Sequence, residues 1–555
     1  MGQMRFLQHT KLSHLSNCEP RFEFGSGRMR LKLRRRRHCM TGCHAAARLH
    51  EEISECSRAV DLLILLKENE TSLDSRVVSL AWGVILNKEI LARAVDKDSG
   101  HVKEELTGLL LEHTMELVSV YTPKEISLIA RAMVATNTGA GNDILKISRD
   151  IQNRLITFEP EELCMVLWAL STHPGIDMHD KHGLFGSLST LVNQEGMSLD
   201  LFTAKDLSIL VWSMGNVNYN NAGLLTAAES ACVVKMNDFD SKCVARIMHG
   251  FSNLGFNPTL FLPKVFEKYQ DVLDEFSAQD LTLFTVSLGK LVVEPNHVFS
   301  KALSKRAKAL IPKDSSSSEG KGRRNQTVNA SMMDAHLNAQ MLWAFGRLGI
   351  RRSAFATQGI LYASLCVQEH VEEDLAAVLW ACCRLNLKLP SNLLKNASLA
   401  LAMHAEKKVS RSLAQSLRYL VILTSREVEE QVMETSSLEY IQSQLSRALT
   451  ALAKHTGQIS GWDISTLVIA YSTLPNASLP HDTSLKIQHR LIEPVQSLPS
   501  RVLPKLAFAL MKLNMTEARL VDALYASVEH KAGIIPLDVC CSFHLSLSLY
   551  IYIYI

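Results

Sequence analysis

Lysine, arginine and amide side chains return at a fixed interval along this 555-residue chain. Asn216, Asn253, Lys290, Arg347, Arg384 and Lys512 each stand four residues after an anchor residue that is aromatic in most copies, and Arg246, Gln340, Gln415 and Lys505 each stand three before one. Such side chains hydrogen-bond phosphate oxygens and base edges. One set per structural unit is how modular helical repeats read single-stranded RNA base by base. Any one of these residues is an ordinary solvated helix position, so the repetition carries the signal. The chemistry is recognition rather than bond-making: HExxH, GxSxG and phosphate-loop signatures are absent and the histidines are scattered. The expectation is a protein that is no enzyme and uses no cofactor or metal.

A recurring phrase positions these residues. It reads LCMVLWALSTHPG at 163–175, LSILVWSMGNV at 207–217, VARIMHGFSNLG at 244–255, NAQMLWAFGRLG at 338–349, LAAVLWACCRLN at 375–386 and LPKLAFALMKLN at 503–514. Its anchor falls at Trp82, Arg131, Trp168, Trp212, His249, Val286, Trp343, Trp380, Arg418, Ile469 and Phe508, most often 37 or 38 residues apart. A fixed period of this length predicts an all-α fold, an α-α superhelical solenoid of about eleven helical-pair repeats of ~37 residues. The longest step, from Val286 to Trp343, contains KDSSSSEGKGRRNQTVN at 313–329, a composition typical of a disordered linker. The organisation expected is a leader at 1–50, repeats at 51–312, an insert at 313–330, repeats at 331–535 and an atypical tail at 536–555.

Four first helices have a start signal. Thr122–Glu125, Thr203–Asp206, Ser277–Asp280 and Ser460–Asp463 all place a hydroxyl three residues before an acid, the pattern of a capping box, and Pro123 stands at the first helical position. Gly255, Gly349 and Asn386 are expected to end their helices. Second helices are expected over 259–273, 296–310 and 391–407. The apolar stripe is expected to include the anchors, which would make the tryptophans core residues that touch no ligand. The positions three before, one after and four after the anchor are expected on the opposite side. The residue one after is small in nearly every copy, as in Ala169, Ser213, Gly250 and Ala344, which suits close packing between helices.

The net charge of +3 conceals an asymmetry. Residues 1–50 hold 11 Lys and Arg against Glu19 and Glu23, so the remainder carries an excess of acids. The Arg-rich, acid-poor leader with Arg34 to Arg37 in a row matches an organelle transit peptide, mitochondrial or alternatively plastid, with a nuclear-localisation patch or a nucleic-acid-binding arm as competing readings. The twelve cysteines form no CxxC pair, so buried reduced thiols are expected; the run His38 to His44 only faintly resembles a metal clip. No apolar run is long enough to span a membrane. The tail SFHLSLSLYIYIYI reads as an exposed strand or as a translated simple repeat beyond the true coding end.

The pattern D/E-L-x-x-x-L-W-A-h-x-x-L-G (h apolar) at 37–38 residues resembles the octotricopeptide and heptatricopeptide repeats. Leu337 to Gly349 is the best copy, Glu373 to Leu385 the next, and the resemblance covers about 70–535. It implies an organelle RNA-binding protein acting in transcript stability, processing or translation or in ribosomal RNA assembly. The partners implied are organellar mRNA or rRNA and other RNA-processing or ribosomal proteins. Members often carry a terminal RAP domain, which is not found here. The alternative from the charge balance is a protein-interaction scaffold of armadillo or HEAT type.

Overall fold

A computed structural model describes residues 42–88, 99–139, 141–173, 178–194, 197–312, 332–351, 353–390, 392–454 and 459–531. The leader up to residue 41 with its His38 to Thr41 stretch, the insert 313–330 and the tail 536–555 lie outside the described residues. The chain forms two compact units, Met1–Glu52 and Ile53–Ile555. Of the first, the described part is the beginning of the helix Gly42–Glu55. Everything below concerns the second.

The second unit is built of helices, with no strand among the described residues. Eleven first helices stack in chain order: Ser75–Lys88, Pro123–Thr136, Pro160–Thr172, Ala204–Asn216, Ser241–Asn253, Ala278–Leu291, Ala335–Arg347, Glu372–Leu385, Arg411–Glu429, Gly461–Tyr471 and Leu503–Lys512. Each of the eleven expected anchors falls in one of them. A second helix follows each and builds the other layer, including Phe261–Tyr269, His297–Leu310 and Leu393–Lys407 where the pattern placed them. Helical pairs therefore pack on their sequence neighbours, the arrangement of an α-α solenoid. Stacking continues from Ala278–Leu291 to Ala335–Arg347, across the position of the insert. The extra residues around 424–440 lengthen helices: Arg411–Glu429 and Thr435–Lys454 run 19 and 20 residues. No described helix is long and apolar enough to cross a membrane.

Local chemistry explains the boundaries. Thr122 accepts from the Glu125 amide while Glu125 Oε2 accepts from the Thr122 amide at 2.8 Å, with Pro123 at the first position. Thr203–Asp206 repeats this box, and Ser277 and Ser460 accept from the amides of Asp280 and Asp463 at 3.1 and 3.2 Å. Each satisfies an amide that the helix cannot. Gly255 and Gly349 end their helices at φ 65° and 67°, and Asn386 does so at 51°. Val292 takes the same left-handed conformation at φ 56°, costly for a β-branched residue.

The first helices pack closely through the small position after each anchor. Ala132, Ala169, Ser213, Ala344, Ala381 and Ala509 are all buried. Gly250 is the tightest case: a Cβ there would lie 2.2 Å from the Val211 carbonyl oxygen, and one on Gly215 would lie 2.6 Å from Gly250 Cα. Basic residues in or just after four second helices reach back to carbonyls of the turn before the preceding first helix. Arg154, Lys268, Arg306 and Lys531 donate to the carbonyls of Tyr121, Phe239, Phe276 and Leu498, each 29–33 residues earlier.

Gly250→Ala is expected to lower stability by about 1–3 kcal/mol, because the methyl group meets backbone that must move. Val292→Gly is expected to raise it by about 1 kcal/mol through relief of left-handed strain. Urea midpoints of the two variants, shifted in opposite directions from wild type, check both.

Candidate nucleic-acid interface

Positions three and four apart lie on one face of a helix, so the anchor, the residue three before and the residue four after are neighbours. The structure places them so, which corrects the expectation that they oppose one another. Trp168, Trp212, Trp343 and Trp380 are not core residues: each is partly exposed, as are His249, Val286, Arg418 and Ile469, while Phe508 is 61% exposed. Burial falls instead on the residues just before and just after the anchor. Each first helix therefore shows solvent one narrow strip, centred on the anchor, on the side away from the second helices.

Trp82 is the exception, and its register differs from that of the other tryptophans. The first helix there is capped by Asp74, whose Oδ1 accepts from the Val77 amide at 2.8 Å. In the capped helices starting at Pro123, Ala204, Ser241, Ala278, Ala335 and Gly461 the anchor lies nine residues after the cap. Nine after Asp74 is Gly83. Trp82 thus occupies the buried position before the anchor, is fully buried, and donates its indole N–H to Thr114 Oγ1 at 3.0 Å.

The ten sequence-nominated residues all lie on or beside the strip. Lys290, Arg347, Arg384, Lys505 and Lys512 are exposed; Asn216, Asn253, Arg246, Gln340 and Gln415 are partly so. Some rungs touch the next. Lys290 Nζ donates to Asn253 Oδ1 at 2.8 Å, and Asn253 Nδ2 lies 3.0 Å from His249 Nε2. Arg347 Nε donates to the Gly289 carbonyl at 3.3 Å, and its guanidinium lies 5.9 Å from the Trp343 ring centre. Lys512 Nζ reaches the Leu474 carbonyl at 3.5 Å. Gln340 Nε2 lies 2.8 Å from His336 Nε2, and His336 Nδ1 lies 2.7 Å from the buried Asp374. The Trp343 and Trp380 rings sit 6.2 Å apart at 36°. Both rest on glycines of the preceding unit: a Cβ on Gly289 would lie 3.4 Å from the Trp343 ring, and one on Gly346 would lie 2.8 Å from the Trp380 ring.

Sequence reasoning missed the anchors as surface groups because tryptophan ordinarily reads as core. It also missed the position seven before the anchor, which is two turns back and only ~20° around the helix. Its occupants Lys124, Lys205, Lys242, Arg411 and Arg501, and Arg76 seven before Gly83, are all exposed. The electrostatics of His249 show how half-burial acts on the strip. Burial first, then the Lys290 cation, pushes its pKa down to about 4, and its Nδ1 is buried without a hydrogen-bond partner. No group of metal-binding side chains occurs among the described residues. The buried thiols of Cys164, Cys232 and Cys382 have their pKa values raised by burial.

No protein-family model matches the chain, and a search of curated proteins returned no match.

Two measurements separate core from strip. Trp82→Ala is expected to cost about 3–5 kcal/mol, and Trp343→Ala clearly less; urea unfolding of both gives the order. For His249 the folded pKa lies below the unfolded value of 6.5, so the unfolded chain takes the proton first. Its contribution is whole above pH 6.5 and is lost as pH falls from there toward 4. The drop in urea midpoint between pH 7 and pH 5 should shrink in His249→Gln.

Proposed function

We propose that this protein is a non-catalytic RNA-binding helical-repeat protein of organelles, mitochondrial or alternatively plastid. It acts on mRNA or rRNA in transcript stability, processing, translation or ribosomal RNA assembly, alongside other RNA-processing or ribosomal proteins. The observation that carries the reading is the partly exposed anchor. A strip whose centre is repeatedly tryptophan, with arginine, lysine and amide side chains beside it, pairs a face for base stacking with groups for phosphates and base edges. The resemblance of the Leu337 to Gly349 phrase to octotricopeptide-type repeats supports RNA in particular.

Exposed apolar side chains near the turns between units, among them Ile156 at 69%, Leu201 at 71% and Val234 at 77%, favour a second reading as a protein-interaction scaffold.

The full chain is expected to bind single-stranded RNA, in fluorescence anisotropy, with an affinity that falls steeply with salt and a site size of roughly eleven nucleotides, one per unit. Absence of salt-sensitive binding would remove the RNA reading and leave the scaffold. Crosslinking and sequencing of RNA bound in purified organelles would identify the target.

A further inference from the structure

Four strip positions in eleven first helices carry a charge excess that the rest of the second unit does not share. With Gly83 taken in place of Trp82, six of the residues seven before the anchor, two of those three before, two anchors and four of those four after are Lys or Arg; Glu161 and Glu373 are the only acids at these positions. From residue 51 onward, acids outnumber Lys and Arg, 54 to 48, so the remaining surface is acidic. Five of these six, Arg76, Lys124, Lys205, Lys242 and Arg411, stand in the first turns of their helices, where a cation opposes the helix dipole and an acid would favour folding, and Arg501 stands just ahead of Leu503–Lys512. Helix stability therefore does not account for them. The amides of these turns are already engaged by caps such as Thr122, Thr203, Asp240 and Ser410, which leaves the side chains to meet a ligand.

This row lies about 10 Å along the helix axis from the anchors. We infer that it is a phosphate rail: a single strand laid across the first helices runs its backbone over Lys124, Lys205, Lys242 and their equivalents, with its bases over the anchors. The inference rests on the RNA-binding reading and assigns it a division of labour. Cations at the helix starts give affinity without sequence preference, the anchor aromatics supply stacking, and the polar residues four after the anchor lie at the base edges. Arg411 is also held by Asp463, at 3.5 Å. The cleanest probes are accordingly Lys124, Lys205, Lys242 and Arg501.

The test measures the salt dependence of binding of a mixed-sequence single-stranded RNA to the full chain. Three variants are compared with wild type: K124A/K205A/K242A/R501A on the rail, K301A/K305A/K308A/K407A with equal charge removed from exposed sites on second helices, and W343A/W380A. Unchanged far-UV circular dichroism verifies folding. The rail variant should lose affinity equally for all sequences, and its slope of log K against log salt should become shallower by about 0.7 per charge, roughly 3 in all. The second-helix variant should keep the wild-type slope, and W343A/W380A should bind more weakly at an unchanged slope. If wild type binds and the rail and second-helix variants respond alike, the rail is overturned while the RNA reading stands. If wild type binds a polyglutamate chain and not RNA, both are overturned.

Discussion

Close approach of the first helices is the constraint on which the rest depends. Gly250 against the Val211 carbonyl, and the buried Ala169, Ser213, Ala344 and Ala381 at equivalent places, bring neighbouring backbones together. Helices this close bury the residues just before and after nearly every anchor, half-buried Tyr419 excepted. The second helices take most of what remains, and only a narrow arc stays in water. That arc is where an anchor, the residues three and seven before it and the residue four after it must lie. The repeated small residue thus defines the surface as well as the core.

The protein uses its cations in two ways, which the structure separates by their partners. Arg154, Lys268, Arg306 and Lys531 turn back onto carbonyls of the preceding unit and satisfy acceptors that the turns leave open. The rail residues stand in solvent at helix starts, where the dipole disfavours them. Lys290 falls between the classes, since it binds Asn253 of the neighbouring unit while remaining exposed. A recurring basic residue is therefore not by itself a sign of a ligand; its partner decides.

Reading the strip from sequence failed in one particular way. The phrase placed every first helix, because period, capping hydroxyls and terminal Gly or Asn are local signals. The same phrase suggested a buried anchor, because tryptophan flanked by leucine and alanine looks like core. Trp82 alone fits that picture: it stands one residue nearer its cap than most anchors, and Gly83, also buried, falls nine residues after that cap.

The sequence by itself determined the class of fold, the number of units, the helix starts and the smallness of the contact positions, since each depends on residues within one turn or one repeat. It held the candidate residues but not their common address. Which side of each first helix meets water depends on how closely the neighbouring first helices and the second layer pack, and those distances arise only when units stack. Tertiary packing therefore made Trp343 and Trp380 surface groups and Trp82 a core residue, and it placed the cations of the helix starts on one strip with them.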